Sequence, residues 1–344
     1  MSALVGVRHG LLRLEAAWWM SRTFLSNLTT WAALVGWVAA DPDLTSWGRM
    51  AALLVAVTAL NGAMFIINDL LDAEGDAVTA PYLPLPSGLL SRRQAWLAMG
   101  AGLLTAVLCV LLAAPSAGRL AVAAGLILLG TIPSAGYSKV KNLGIWGSLT
   151  VALPQCIAAV VAWVLAGGGP AGELLLVLAY LMLACVSNNI LAALRDVEKD
   201  PEAGNRTLAV RLGAPRAFRA AALTGFAALA PVLVLAAVRP GWWALVFAGV
   251  GAAIHLFCYP RLLRSFADPE RDRTQRLADQ RLWKLGEYVR HSSVVAAFNP
   301  VVGLVAGVVL YACLRGGYRV YNSRLVSGAI HRSLSGPVTV SARG

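Results

Sequence analysis

Charge is what this chain is short of. Only 13% of its 344 residues are Asp, Glu, Lys or Arg, while 58% are hydrophobic and the mean hydropathy is +0.68. A soluble domain of this size is about a quarter charged, so the shortfall excludes an ordinary water-soluble protein and points to an integral membrane protein. Paired cysteines are missing as well. Cys109, Cys156, Cys185, Cys258 and Cys313 each stand alone in an apolar run, without disulfide or metal-type spacing, and read as small core residues. The N-terminus has no uninterrupted apolar stretch followed by a small-residue cleavage site, so no removable signal peptide is expected.

Long apolar windows are abundant. They fall at about 24–40, 48–67, 94–114, 119–136, 144–166, 172–194, 217–238, 241–260 and 293–313, which predicts an all-α bundle of nine transmembrane helices. A segment 1–23 would precede the membrane domain of 24–313, and a flexible tail 314–344 would follow it. With that numbering, 21 Lys and Arg lie in the N-terminal segment and the even-to-odd loops, against Arg49, Arg119 and Arg239 in the opposite loops. The asymmetry puts the N-terminus and the basic loops in the cytoplasm of a multi-pass cell-membrane protein. It also accounts for the net charge of +12 without any nucleic acid. The tail disagrees: its five Arg should lie outside by parity. The Arg-rich stretch 264–284, between the last two spans, reads as an amphipathic anchor on anionic lipid or as a lid.

The few acids are not scattered. Asp69, Asp72, Glu74 and Asp76 close the second span, and Asp196, Glu198, Asp200 and Glu202 close the sixth, on the same side by parity. Asp72 and Asp76 are four apart, as are Asp196 and Asp200, so each pair would stack on one helical face; Asn61 and Asn189 lie seven residues before Asn68 and Asp196. The repeat at about 124 residues suggests an internal duplication. Carboxylates stacked in this way repel, and two matched clusters imply a divalent cation; carboxylate and amide oxygens suit Mg²⁺. A calcium loop of the EF-hand kind is excluded by Ala77 and Leu83 where its Gly and closing Glu belong. Two such sites imply a polyanion, of which a diphosphate is the simplest. Tyr137, Ser138, Lys139 and Lys141 between spans 4 and 5, with Arg195 and Arg206 beside the second cluster, are candidate partners for it.

"NDLLDAEGD" (68–76) resembles the N-D-x-x-D-x-x-x-D motif of the UbiA superfamily of intramembrane prenyltransferases, and "RDVEKDPEAGNRTLAVRLG" (195–213) is similar to its second motif. "LPSG" (85–88) and "YS" with a following Lys match further landmarks, and the likeness runs from about 20 to 310. The resemblance implies nine helices around a central cavity and an enzyme that ionises an isoprenyl diphosphate. It implies that Asn68, Asp72, Asp76, Asp196 and Asp200 hold Mg²⁺ and the diphosphate, with Asp69 in the motif and Tyr137 lining the site. Lys141 fits the family's loop lysine, with Lys139 as the alternative. The prenyl group would pass to an aromatic or other lipophilic acceptor, and Trp31, Trp37, Phe65, Trp146 and Trp163 are aromatic residues that would steady the allylic cation. One departure is plain: Tyr82 and Leu83 stand where the family often has Asn and Arg. That keeps open a UbiA-type terpene cyclase, which needs no acceptor. A transporter predicts ionisable residues deep within spans, whereas the charges here cluster at helix ends. Asn188, Asn189, Gln155 and His255 either face the cavity or bond between helices.

Overall fold

The computed structural model describes residues 2–23, 27–195, 197–198, 200–202, 204–239, 241–268, 273–328 and 330; the side chains of 2–9, 27, 78–79, 134–139 and 273–274 are not among those described. Its elements are all helical: α1 (Ser2–Met20), α2 (Asn27–Ala40), α3 (Trp47–Thr79), α4 (Arg92–Ala113), α5 (Ala117–Val140), α6 (Ile145–Ala166), α7 (Ala171–Ala193), α8 (Leu208–Leu212), α9 (Ala214–Ala227), α10 (Leu229–Val238), α11 (Trp242–Ala267), α12 (Arg273–Ala296) and α13 (Pro300–Tyr321). A chain that crosses hydrocarbon must satisfy its backbone within each segment, which is why runs this apolar become helices. Among the described residues seven helical stretches are long and apolar enough to span a membrane, and two shorter apolar ones, Leu28–Ala40 and Ala117–Pro133, fall at the expected first and fourth spans. The helices form two compact units. One comprises 1–27, 55–109 and 312–344; the other comprises 28–54 and 110–311.

The larger unit corrects the sequence reading between 264 and 313. No long surface loop separates the last two expected spans. Instead α11 continues to Ala267, and α12 folds back along it in antiparallel register: Arg261 pairs with Asp279, Arg276 with Ser265, and the His255 ring stacks on Trp283. The two backbones meet at Gly251 and Gly286. A Cβ on Gly251 would lie 2.9 Å from the carbonyl oxygen of Gly286, and one on Gly286 would lie 2.8 Å from the His255 ring. Whatever depth α11 spans, α12 spans with it. α13 then returns along α12, with Gly303 against Ala296 and Tyr311 edge-on to Tyr288 at 5.8 Å. Hydropathy misplaced the ninth window because it joined the apolar end of α12 to the start of α13. It overlooked α12 because that helix carries Lys284, Glu287, Arg290 and His291, three of which are almost fully buried. Ionisable side chains therefore do sit within the bundle, contrary to the expectation that they stop at helix ends.

The smaller unit settles the position of the tail. Arg324, just past α13, donates to both carboxylate oxygens of Glu15 on α1 (2.6 and 2.5 Å). Leu325 and Ile330 are packed with Ala16 and Met20 of α1, Ile66 and Leu70 of α3, and Leu89 and Leu90. The tail thus lies beside the N-terminal segment; in the larger unit, α12 returning along α11 adds a pass of the bundle that the count of nine windows lacked.

The three Arg on the opposite side are each spent on the fold. Arg49 donates to the carbonyl oxygens of Ala113 and Leu165 and lies over the Trp37 ring. Arg119 bonds the carbonyl oxygen of Gly167, and Arg239 pairs with Glu173 at 2.8 Å over Phe298. A cation beside the last carbonyls of a helix meets the negative end of its dipole.

Candidate active site

The first acidic motif is wholly helical. α3 does not stop where its apolar stretch ends near 67 but runs on to Thr79, 33 residues in all. Asn61, Asn68, Asp72 and Asp76 follow at spacings of seven, four and four, which keeps them on one stripe as expected. Asp72 is exposed, and Asn68 and Asp76 are half-buried. Among the described residues neither Asp72 nor Asp76 forms an ion pair. Asp69 is different. It points off the stripe, is 5% exposed, and binds Arg22 at 2.8 Å. Among the described residues Arg22 is one of two non-glycine residues with positive φ (46°), and its guanidinium also lies 5.7 Å from the Phe65 ring. The segment between α1 and α2 is thereby pinned to the acidic helix through Asp69, a structural task that the motif's letters do not reveal.

At the departure from the family pattern, Tyr82 is exposed and Leu83 is buried. The Leu83 carbonyl accepts from both the backbone N–H and the hydroxyl of Ser87, so the "PLPSG" turn is closed by an apolar anchor.

The second motif does not repeat the first. α7 ends at Ala193 and the described residues from 194 to 204 are turns, so Asp200 is not stacked on a helical face. Pro201 disfavours helix at Asp200, the residue before it, but α7 has already ended at Ala193. Asp196 lies outside the described residues. The Asp200 carboxylate accepts from Asn205 Nδ2 (3.3 Å) and Thr207 Oγ1 (3.1 Å), while the Asp200 carbonyl accepts the Asn205 N–H (2.8 Å). Arg195 is exposed and returns its Nε to the Ala192 carbonyl at 3.3 Å.

The basic loop is mostly helix too. α5 extends to Val140, leaving a single 3-10 turn, Lys141–Leu143, before α6. The side chains of Tyr137, Ser138 and Lys139 fall outside those described. Lys141 is half-buried, its backbone packed against Gly147. Beside it Asn142, which no sequence pattern singled out, accepts the Arg206 N–H on Oδ1 (2.8 Å). Ser148 of α6 donates to Asn189 Oδ1 of α7 at 3.1 Å. Within the larger unit Asn142 thus ties the Lys141 turn to Arg206, and Ser148 ties α6 to Asn189.

A second constellation escaped the sequence reading. Glu287, 3% exposed, accepts from Lys284 Nζ (2.6 Å) and Trp283 Nε1 (3.2 Å), and Lys284 also bonds Asn188 on α7. Arg290 Nη1 donates to the Gly225 carbonyl, Tyr180 shares a hydrogen bond of 2.6 Å with His291 Nδ1, and His255 Nε2 meets the Trp283 carbonyl at 3.0 Å. Asn188, Asn189 and His255 therefore bond between helices; Gln155 is buried with its Oε1 unpartnered. The available signal was the spacing of 284, 287 and 291, one polar stripe of a helix. Of the aromatic candidates, Trp31 and Trp37 are core residues, Trp31 lying against Tyr180 and His291, and Trp146 is exposed.

No three His, Cys, Asp or Glu among the described residues gather as a metal cluster. The donor set of the first motif nevertheless fits Mg²⁺: two carboxylates and an amide on one stripe, uncommitted to any ion pair, few enough to leave positions for water and phosphate oxygens.

Residues 29–285 match the UbiA prenyltransferase family. A digeranylgeranylglyceryl phosphate synthase of Halobacterium salinarum is 33% identical over 244 residues, 67% of this chain and 77% of that protein. One from Methanoregula boonei is 28% identical over 221 residues, 62% of this chain and 72% of the relative. Among solved structures, a UbiA homologue from Aeropyrum pernix aligns with a TM-score of 0.59 at 18% identity, covering 83% of this chain and 98% of the other. A UbiA homologue from Archaeoglobus fulgidus bound to GPP and Mg²⁺ aligns at 0.54 and 15% identity, covering 87% and 99%.

Proposed function

Because the chain belongs to the UbiA prenyltransferase family and is an intramembrane prenyltransferase, we propose that it moves the prenyl group of an isoprenyl diphosphate onto an aromatic or other lipophilic acceptor at the cytoplasmic face. The basic side of the bundle is the cytoplasmic one by the positive-inside rule. Asp72 and Asp76 carry the reading. They stand on one face of one helix, Asp72 exposed and Asp76 half-buried, without an ion pair among the described residues. Holding two like charges four residues apart costs energy that a bound cation offsets.

In this reading Asn68, Asp72 and Asp76 hold one Mg²⁺, and Asp196 and Asp200 hold another. Bound Mg²⁺ neutralises charge on the departing diphosphate. Asn205 and Thr207 orient Asp200 from behind, as outer-shell partners do for metal-binding carboxylates. Lys141 and Tyr137 contact the phosphate oxygens, with Asn61, Ser138, Lys139, Asn189, Arg195 and Arg206 around them. The bond between the prenyl carbon and the diphosphate oxygen breaks with both electrons leaving on diphosphate. An electron pair of the acceptor closes on the allylic carbon, and the acceptor then gives up a proton. The archaeal relatives are named for a glyceryl phosphate carrying two geranylgeranyl groups, so a lipid hydroxyl belongs beside a phenol among the acceptors to be tried.

The test uses purified protein with Mg²⁺, C10, C15 and C20 diphosphates, and each acceptor class. Acceptor-dependent prenylated product is expected, falling by about a hundred-fold or more in Asp72→Asn. Unchanged turnover in that variant would sink the metal assignment, and a cyclised product without acceptor would sink the transfer.

A further inference from the structure

Lys141 and Asp200 sit on different loops, one between α5 and α6, the other between α7 and α8. Three hydrogen bonds close a ring between these loops. Asn142 Oδ1 accepts the Arg206 N–H at 2.8 Å, the Asn142 carbonyl accepts Arg211 Nη2 at 2.6 Å, and the Arg206 carbonyl accepts Arg211 Nε at 3.0 Å. Asn142 follows Lys141 directly. Arg206 lies between Asn205 and Thr207, the two residues whose side chains hold the Asp200 carboxylate. We propose that Asn142 and Arg211 are positioning residues, which fix the Lys141 cation relative to Asp200 so that one diphosphate is met by both. The proposal rests on the diphosphate reading above and adds to it Asn142 and Arg211, neither of which was a candidate site residue.

The local backbone makes the tie necessary. The chain around Asp200 is a run of turns with no helical ladder of its own, and Lys141 stands in a single 3-10 turn. Such segments hold position only through bonds to something else. Behind Lys141 the fit is close: a Cβ on Gly147 would lie 2.9 Å from the Lys141 Cα, so the turn cannot slide toward α6. On the other flank Asn142 is the contact, used through both side chain and backbone. Arg211 suits its place because a planar guanidinium reaches two carbonyls at once, whereas a Lys ammonium at the end of a flexible stem has no such fork.

Structural support alone predicts a change in stability and nothing more. Positioning predicts weaker capture of the diphosphate at unchanged fold. The experiment measures, on the full chain in detergent, the affinity for inorganic pyrophosphate with Mg²⁺, KM and kcat with a C15 diphosphate, and amide hydrogen exchange at 141–144 and 200–207. Asn142→Ala, which loses the acceptor of the Arg206 N–H, and Arg211→Lys, which loses the fork, should each raise the pyrophosphate Kd and the KM by roughly five- to ten-fold, the scale of losing one hydrogen bond. Both loops should exchange faster together. Asn142→Asp keeps the Oδ acceptor and should restore the wild-type exchange protection of both loops. The inference is overturned if Kd and KM stay at wild-type values in both damaged variants, if only the melting temperature moves, or if Asn142→Asp leaves the two loops exchanging as fast as Asn142→Ala does. Wild-type protein that neither binds pyrophosphate nor consumes any C10 to C20 diphosphate would overturn the functional reading, and this inference with it. An active wild type with unaffected variants would overturn the inference alone.

Discussion

Arg324 and Glu15, 309 positions apart, meet through two hydrogen bonds of 2.6 and 2.5 Å, so that the region after the last helix is fastened to the first. The Arg324 side chain holds the Glu15 carboxyl below its ordinary value of 4.5, against the upward push of burial. A carboxyl whose folded pKa is depressed contributes stability that is present above the unfolded value and lost as pH falls through the folded one. Acidification from pH 6 to below 4.5 should therefore release α1, seen as faster proteolysis near Leu11 and Leu14. Glu15→Gln should be cleaved equally at both pH values.

The same contact fixes topology. In a cysteine-free background, an impermeant maleimide added to intact cells should label Asp43→Cys, between α2 and α3, and spare Ser327→Cys. Labelling of both from outside would mean that α12 does not cross.

Arg22 and Asp69 should behave as structure rather than as chemistry. Removing one member of a buried pair costs about 3–5 kcal/mol, much of it from the charge left behind. Arg22→Met should accordingly lower the melting temperature more than the double variant with Asp69→Asn does. In both, the KM for diphosphate should move far less than in Asp72→Asn.

Glu287 invites the parallel test within the bundle. Glu287→Leu leaves Lys284 with Asn188 but no counter-charge, and the Trp283 indole N–H without its acceptor, and should destabilise by about 3–5 kcal/mol. Glu287→Gln should cost less, and adding Lys284→Met to Glu287→Leu should recover a large part of the loss. Thermal unfolding in detergent reads all four.

Much of the fold was legible in the sequence because hydrocarbon imposes a simple rule on composition. The windows over α3, α4, α6, α7 and α11 were found by apolar length alone. α12 was not, since Glu287 and Arg290 are offset by partners on α7, α9 and α12 itself, which a hydropathy window cannot see. The stripe of Asn61, Asn68, Asp72 and Asp76 was legible from spacing. The second motif is less legible because equal spacing does not imply equal backbone: α7 ends at Ala193, and Pro201 disfavours helix at Asp200. Asn142 left no mark, as an Asn in a short turn has many uses.

α3 carries its carboxylates on a rod rather than a loop. From the end of its apolar stretch near 67 to Thr79, the helix rises about 18 Å with no break in its ladder. Such a rod transmits tilt. A bilayer thicker or thinner than the apolar stretch is met by tilting the helix or by deforming the lipid, and a tilt would carry Asp72 and Asp76 with it. The lipid around this enzyme is in that sense a mechanical input to its acidic site, through hydrophobic mismatch and without any lipid touching a carboxylate.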